Sequence, residues 1–185
     1  MTEKQITPSA YKSGGFIGKY QKLIKDEVIP YQYATLGDNT EGAEKSGVIA
    51  NFKNAAKVLR GEKPDADFYG MVFQDSDAAK WLEAAAYALA DFPDPELEKK
   101  ADELIETIAS AQDSEGYLNT RFTISDRDKR WTNLLEAHEL YCSGHMMEAA
   151  CAYYEATGKE KLLKVMKKNA DCIYKRFIEE KNGGC

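Results

Sequence analysis

The sequence is short of histidine, with two in 185 residues, and its four cysteines, Cys142, Cys151, Cys172 and Cys185, form no CxxC pair and no dense framework. This excludes a disulfide-stapled scaffold, and in a reducing compartment the four are most simply free thiols. Cys151 and Cys172 stand among apolar neighbours and read as small core residues. The N-terminal "MTEKQITPSAYKSGG" holds no apolar run of signal-peptide length. Nowhere is there the roughly 20-residue apolar stretch of a membrane span, so the expected setting is cytoplasmic with no membrane partner. A basic block is missing too. With a net charge of -6, the chain has no surface suited to nucleic acid or anionic lipid. The lysines of 159–168 are interrupted by apolar residues at helical spacing, as on a solvated helix face. No convincing strand alternation appears.

What is present is helical periodicity. The length suits one domain, and 43% hydrophobic with 30% charged residues is ordinary for a globular protein. The pattern predicts a helix from about Phe16 that ends before Pro30. A shorter helix spans "GVIANFKNAAKVLRGEKP", stopped by Gly61 and Pro64. Two more helices meet at the corner Phe92, Pro93, Asp94, Pro95, with Pro95 suited to the first turn of the second. Segment 116–130 has turn residues and no sustained period, which reads as a loop of functional length. After it, "WTNLLEAHELYCSGHMMEAACAYYEATG" and "KEKLLKVMKKNADCIYKRFIEEKNGG" read as two further helices.

An internal echo organises these helices. "LEAAAYA" answers "MEAACAY", and Ala101 with Asp102 answers Ala170 with Asp171. The first helix of each pair is apolar on nearly all sides. The second carries one stripe: Leu97, Ala101, Leu104, Ile105 and Ile108 in one, Leu162, Met166, Ala170, Ile173 and Phe177 in the other. An inner helix followed by an outer helix, repeated after about 65 residues, indicates stacked αα-hairpins. The fold class is therefore all-α, as an open solenoid or part of a closed double ring. A ring needs about six hairpins, on the order of 350 residues. With at most three, this chain reads as the front portion of something larger, truncated at its C-terminus.

"VIPYQ", "FQDSDAAKWLEAAAYAL", "AQDSEGYLNT" and "RWTNLLEAHELYCSGHMMEAACAYYEATGKEKLL" together resemble glycoside hydrolase family 127, the β-L-arabinofuranosidases. The resemblance implies residues 1–15 as an N-terminal extension and 16–185 as the N-terminal portion of an (α/α)6-barrel catalytic domain. It also implies a retaining enzyme that removes terminal β-L-arabinofuranose from arabino-oligosaccharides or glycoproteins. The family uses a cysteine nucleophile held on zinc and a glutamate acid/base. Its Glu-x-Cys pattern and adjacent Cys-Cys pair are absent from this sequence. No catalytic role or zinc ligand is therefore carried over, no cofactor is expected in this segment, and the chain alone is expected to be inactive. Two other classes compete: a non-catalytic helical-repeat interaction module, and another α/α-barrel sugar enzyme such as an epimerase. Two or three hairpins leave the apolar flank of an inner helix uncovered, which implies an oligomer or association with a larger whole.

The stretch "HELYCSGH" holds both histidines. On one helix, His138, Cys142 and His145 would share a narrow arc, open to three readings: a zinc site, buried scaffolding, or a sugar pocket. Ser143 and Gly144 read as a cap or break, which weakens the first. The resemblance favours the third, with His138 the leading sugar contact and His145 the second. In "FQDSDAAKWLEA", Asp75 or Ser76 can cap the helix, while Gln74, Asp75 and Asp77 can also bind hydroxyls. Trp81 reads as core before stacking platform. Asn119 serves equally as turn residue or hydroxyl ligand, and Gln32 belongs to the same rim.

Overall fold

The structure is a computed structural model that describes residues 13–180. Most of the expected 1–15 extension, and Cys185, lie outside the described residues. Among the described residues every regular element is helical: α1 (Gly15–Leu23), a π-turn (Ile24–Val28), α2 (Ile29–Leu36), α3 (Val48–Leu59), α4 (Asp75–Asp91), α5 (Pro95–Ser110), α6 (Thr120–Ile124), a 3₁₀ turn (Arg127–Lys129), α7 (Glu139–Thr157), α8 (Lys161–Tyr174) and a second π-turn (Lys175–Glu179).

Three hairpins stack side by side. Inner helix α2 packs on α4 and α4 on α7, while outer helix α3 packs on α5 and α5 on α8. The strongest of these contacts joins α4 to α7, the two echoed inner helices. Alanines at 78, 79, 85, 86, 149 and 150 are all buried there, and such small side chains let two helices approach closely. The helices run parallel, since the Phe73 and His138 rings meet at one end and Glu148 and Glu155 face Tyr87 further along. The expected α5 stripe is buried in full. Asp94 accepts hydrogen bonds from the Glu96 and Leu97 amides, and Pro95 occupies the first turn, where its missing N–H costs nothing.

Several expectations change. Pro30 does not end the first helix, which continues through α2. The π-turn just before it sends the Ile29 N–H back to the Ile24 carbonyl, stepping the hydrogen-bond ladder out where a proline ring would otherwise clash. Helix α7 starts at Glu139 rather than near Trp131, and Ser143 and Gly144 lie inside it. Segment 116–130 contains α6 and a 3₁₀ turn. Cys151 is exposed and Cys172 is half-buried against the small Tyr117 cluster. Ala170 is exposed while Asn169 is buried in its stead, because Asn169 Nδ2 donates to the Gly116 carbonyl at 3.0 Å. The inner helices are not covered all round: Lys80, Tyr87, Tyr141, Cys151 and Tyr154 remain exposed along one flank.

Candidate functional site

The histidines gather on the exposed flank at the N-terminal end of α7. His138 precedes the helix in a left-handed conformation, φ 56° and ψ 24°. Its Nδ1 lies 2.8 Å from the Glu136 carbonyl oxygen; a carbonyl only accepts, so Nδ1 carries the proton and Nε2 is the acceptor nitrogen of the neutral ring. The ring sits 5.4 Å from Phe73 and 5.6 Å from Tyr141, edge-on to the latter. Tyr141 in turn meets His145 edge-on at 4.6 Å. Spacings of three and four put these residues on one helix face. His145 Nδ1 lies 3.1 Å from the Glu148 carboxylate, but out of line for a hydrogen bond.

Helix α4 continues this surface. Lys80 Nζ lies over the Tyr141 ring at 5.4 Å, donates to Ser76 Oγ at 3.1 Å and stands 3.8 Å from Asp77. Burial pushes the Asp77 carboxyl up from its ordinary value, against the pull of Lys80. Asp77, Lys80 and Trp81 then line an open groove with Tyr31 and Gln32 of α2. Trp81 is also core, donating Nε1–H to the Ile29 carbonyl at 2.9 Å. Gln74 braces the edge: its amide donates to the Ser46 carbonyl at 3.2 Å and its oxygen accepts the Met71 N–H at 3.0 Å. Gln32, Asp77, His138 and His145 are thus brought onto one surface, with Gln74 beside Asp77.

Asp75 and Asn119 are not on it. Asp75 is 6% exposed and accepts from the Thr120 N–H at 2.7 Å and the Thr120 hydroxyl at 2.5 Å. Burial raises its carboxyl to about 6 even though both bonds pull the other way. It does not cap α4, and neither does Ser76; Gln74 holds that position with no side-chain cap. Asn119 is buried and caps α6 by accepting the Phe122 N–H at 3.1 Å. Nor do His138, Cys142 and His145 converge. Cys142 is turned into the α4 contact, where the Ser76 amide faces its sulfur and burial pushes the thiol up to about 12. Among the described residues no group of three or more His, Cys, Asp or Glu side chains could hold a metal ion, so these residues do not form a zinc cage.

Residues 13–183 match the family profile of the beta-L-arabinofuranosidase, GH127 catalytic domain. The chain belongs to this family. It is 44% identical over 174 residues to a non-reducing end beta-L-arabinofuranosidase of Bifidobacterium longum, a match that covers 85% of this chain and 26% of the relative. A solved GH127 beta-L-arabinofuranosidase from Geobacillus stearothermophilus superposes with a TM-score of 0.83 at 53% identity, covering 88% of this chain and 25% of that one. A second solved GH127 beta-arabinofuranosidase gives a TM-score of 0.79 at 30% identity, covering 91% and 26%. The chain therefore spans about a quarter of the length of these relatives.

Within this family-127 segment, sequence reasoning overlooked Lys80, Tyr141, Glu139 and Asp113. Tyr141 was legible, since it completes the three-and-four spacing between the histidines. The buried carboxylates were not. Glu139 is 1% exposed; it accepts the Tyr117 hydroxyl at 2.5 Å and the Trp131 N–H at 2.9 and 3.1 Å. Burial raises its carboxyl, opposed by those two donors. Asp113 accepts the Glu115 and Tyr117 amides and Arg130 Nη1, the last at 2.6 Å. The Arg130 guanidinium also stacks 3.8 Å over the Tyr117 ring.

Proposed function

We propose that this segment forms part of the sugar-binding wall of a retaining β-L-arabinofuranosidase acting on terminal β-L-arabinofuranosyl groups of arabino-oligosaccharides or glycoproteins. One observation carries the reading: Gln32, Asp77, Lys80, Tyr141, His138 and His145 lie along one exposed surface of the inner helices in a chain of this family. Vicinal sugar hydroxyls need donors and acceptors at close quarters. His138 Nε2 accepts from a hydroxyl, Gln32 both gives and accepts, the Asp77 carboxylate accepts and Lys80 donates. Tyr141 supplies a flat edge for an apolar sugar face.

The reaction needs a nucleophile below the anomeric carbon and an acid above the leaving oxygen. Cys142, the thiol nearest the histidines, is 3% exposed and protonated at neutral pH, so it serves packing. On this reading the nucleophile, the acid/base and the zinc ligands come from the other three-quarters of the relatives' length. This chain's work is to bind and orient the sugar. The chain alone should not turn over an aryl β-L-arabinofuranoside, with or without added zinc. A chimera in which residues 13–183 replace the matching part of the Bifidobacterium longum relative should do so. In that chimera His138→Ala should lower kcat/KM by about tenfold, near 1.4 kcal/mol, with little change in melting temperature. Unchanged kinetics with an earlier melt would make His138 scaffolding and refute the reading.

A further inference from the structure

We infer that Glu139 is a positioning residue that holds His138 beside Phe73 and Tyr141 by clamping Trp131 and Tyr117; its kinetic consequence rests on the sugar-contact reading above. Non-glycine residues adopt positive φ uncommonly, aspartate and histidine more readily than a bulky residue such as tryptophan, and such residues concentrate at working sites. Among the described residues three do so: Asp38, Trp131 and His138. Asp38 has a local cause, since its own carboxylate accepts the Ser46 and Gly47 amides at 2.7 and 3.0 Å. The other two bracket Glu139. Trp131, at φ 62°, gives its N–H to both oxygens of that carboxylate, and His138, at φ 56°, is the residue bonded to Glu139.

Packing alone does not call for this side chain. Burying a carboxylate costs more than burying an apolar group of its size unless several donors meet it. Here they do, and none comes from α7: the partners are the Tyr117 hydroxyl and the Trp131 amide, 22 and 8 residues away. An acidic residue serving only the helix dipole would turn to its own first-turn amides or to water. Tyr117 is itself fixed, its N–H held by Asp113 and its ring covered by Arg130. The Trp131 ring is gripped edge-on between Tyr117 at 5.0 Å and Phe177 at 5.4 Å. Rigid groups on two sides therefore converge on one carboxylate, and its backbone hands that rigidity to His138.

The test has two arms. In this chain, with its two histidines, the His138 Cε1–H resonance reports the ring currents of Phe73 and Tyr141. Glu139→Gln keeps the volume but turns one oxygen into a donor facing the Trp131 N–H. It should shift and broaden the His138 signal and leave that of His145 in place. Tyr117→Phe, which spares the Trp131 bonds, should shift it by a smaller measurable amount. An unmoved His138 signal in a folded Glu139→Gln chain overturns the inference; should that variant not fold, an unmoved signal in folded Tyr117→Phe overturns it. In the chimera, Glu139→Gln and His138→Ala should each lower kcat/KM by about tenfold, and the double variant by no more than the larger single loss, because one acts through the other. Losses that multiply overturn the inference as well. If His138→Ala leaves kcat/KM unchanged, the sugar-contact reading falls, and the resonance arm alone decides whether Glu139 positions His138.

Discussion

Asp75 offers a test of how the scaffold bears a buried charge. Its carboxyl, ordinarily near 3.8, is raised to about 6 in the fold. The folded state thus holds this proton more tightly than the unfolded chain. Between those two values the folded state binds the extra proton, so raising the pH through that window lowers stability. The contribution is fully present below the unfolded pKa and gone above the folded one; the gap corresponds to about 3 kcal/mol. Asp75→Asn removes the charge with little change of shape. The asparagine oxygen can still accept the Thr120 N–H, and the Thr120 hydroxyl can rotate to accept from the new amide. Glu139 is also raised by burial, but it is common to both proteins and cancels in the difference; Asp77, whose charge adds to the rise at Asp75, loses that repulsion in the variant, which acts in the same direction. Urea unfolding followed by far-UV circular dichroism, from about pH 4 to about pH 7, should show the variant gaining roughly 2–2.5 kcal/mol on the wild type, since at about pH 4 the unfolded carboxyl is already partly ionised. A constant difference across that range would refute the reasoning.

Three further outcomes follow from particular contacts. Gly116→Ala should cost at least about 2 kcal/mol in chemical denaturation, since φ is +97° and a Cβ would overlap the Lys168 carbonyl of α8. Asp94→Ala should cost about 1 kcal/mol through loss of the α5 cap. Lys25, 2.8 Å from Asp94, holds that carboxyl below its ordinary value, so this contribution should be present at neutral pH and fade as the pH falls through the folded pKa. Trp81→Phe should lower the melting temperature with helix content retained, at roughly 1–3 kcal/mol, because the smaller ring leaves a void in the core and removes the indole N–H bond that ties α4 to the Ile29 carbonyl of α2.

Much of this architecture was legible from local pattern. The start of α5 follows from Asp94 and Pro95, its buried stripe from spacing, and the hairpin stack from the echo between α4 and α7, because each depends on residues within a turn or two. The pairing of His138 and His145 on one face also belongs to the sequence, once Gly144 is accepted as helical. Other features depended on partners far along the chain. Asp75 turns inward because Thr120, 45 residues on, brings two donors to it. Helix α7 begins at Glu139 and not near Trp131 because its carboxylate is met by Tyr117 and by the Trp131 amide itself, which holds that residue outside the helix. Asn169 is buried, against its polarity, because the Gly116 turn presents a carbonyl to it. Cys151 is exposed, against its apolar neighbours, because its face of α7 meets no other described helix. Periodicity shows which side of a helix is apolar; which polar side chains can also be buried is decided by the donors and acceptors that folding brings to them.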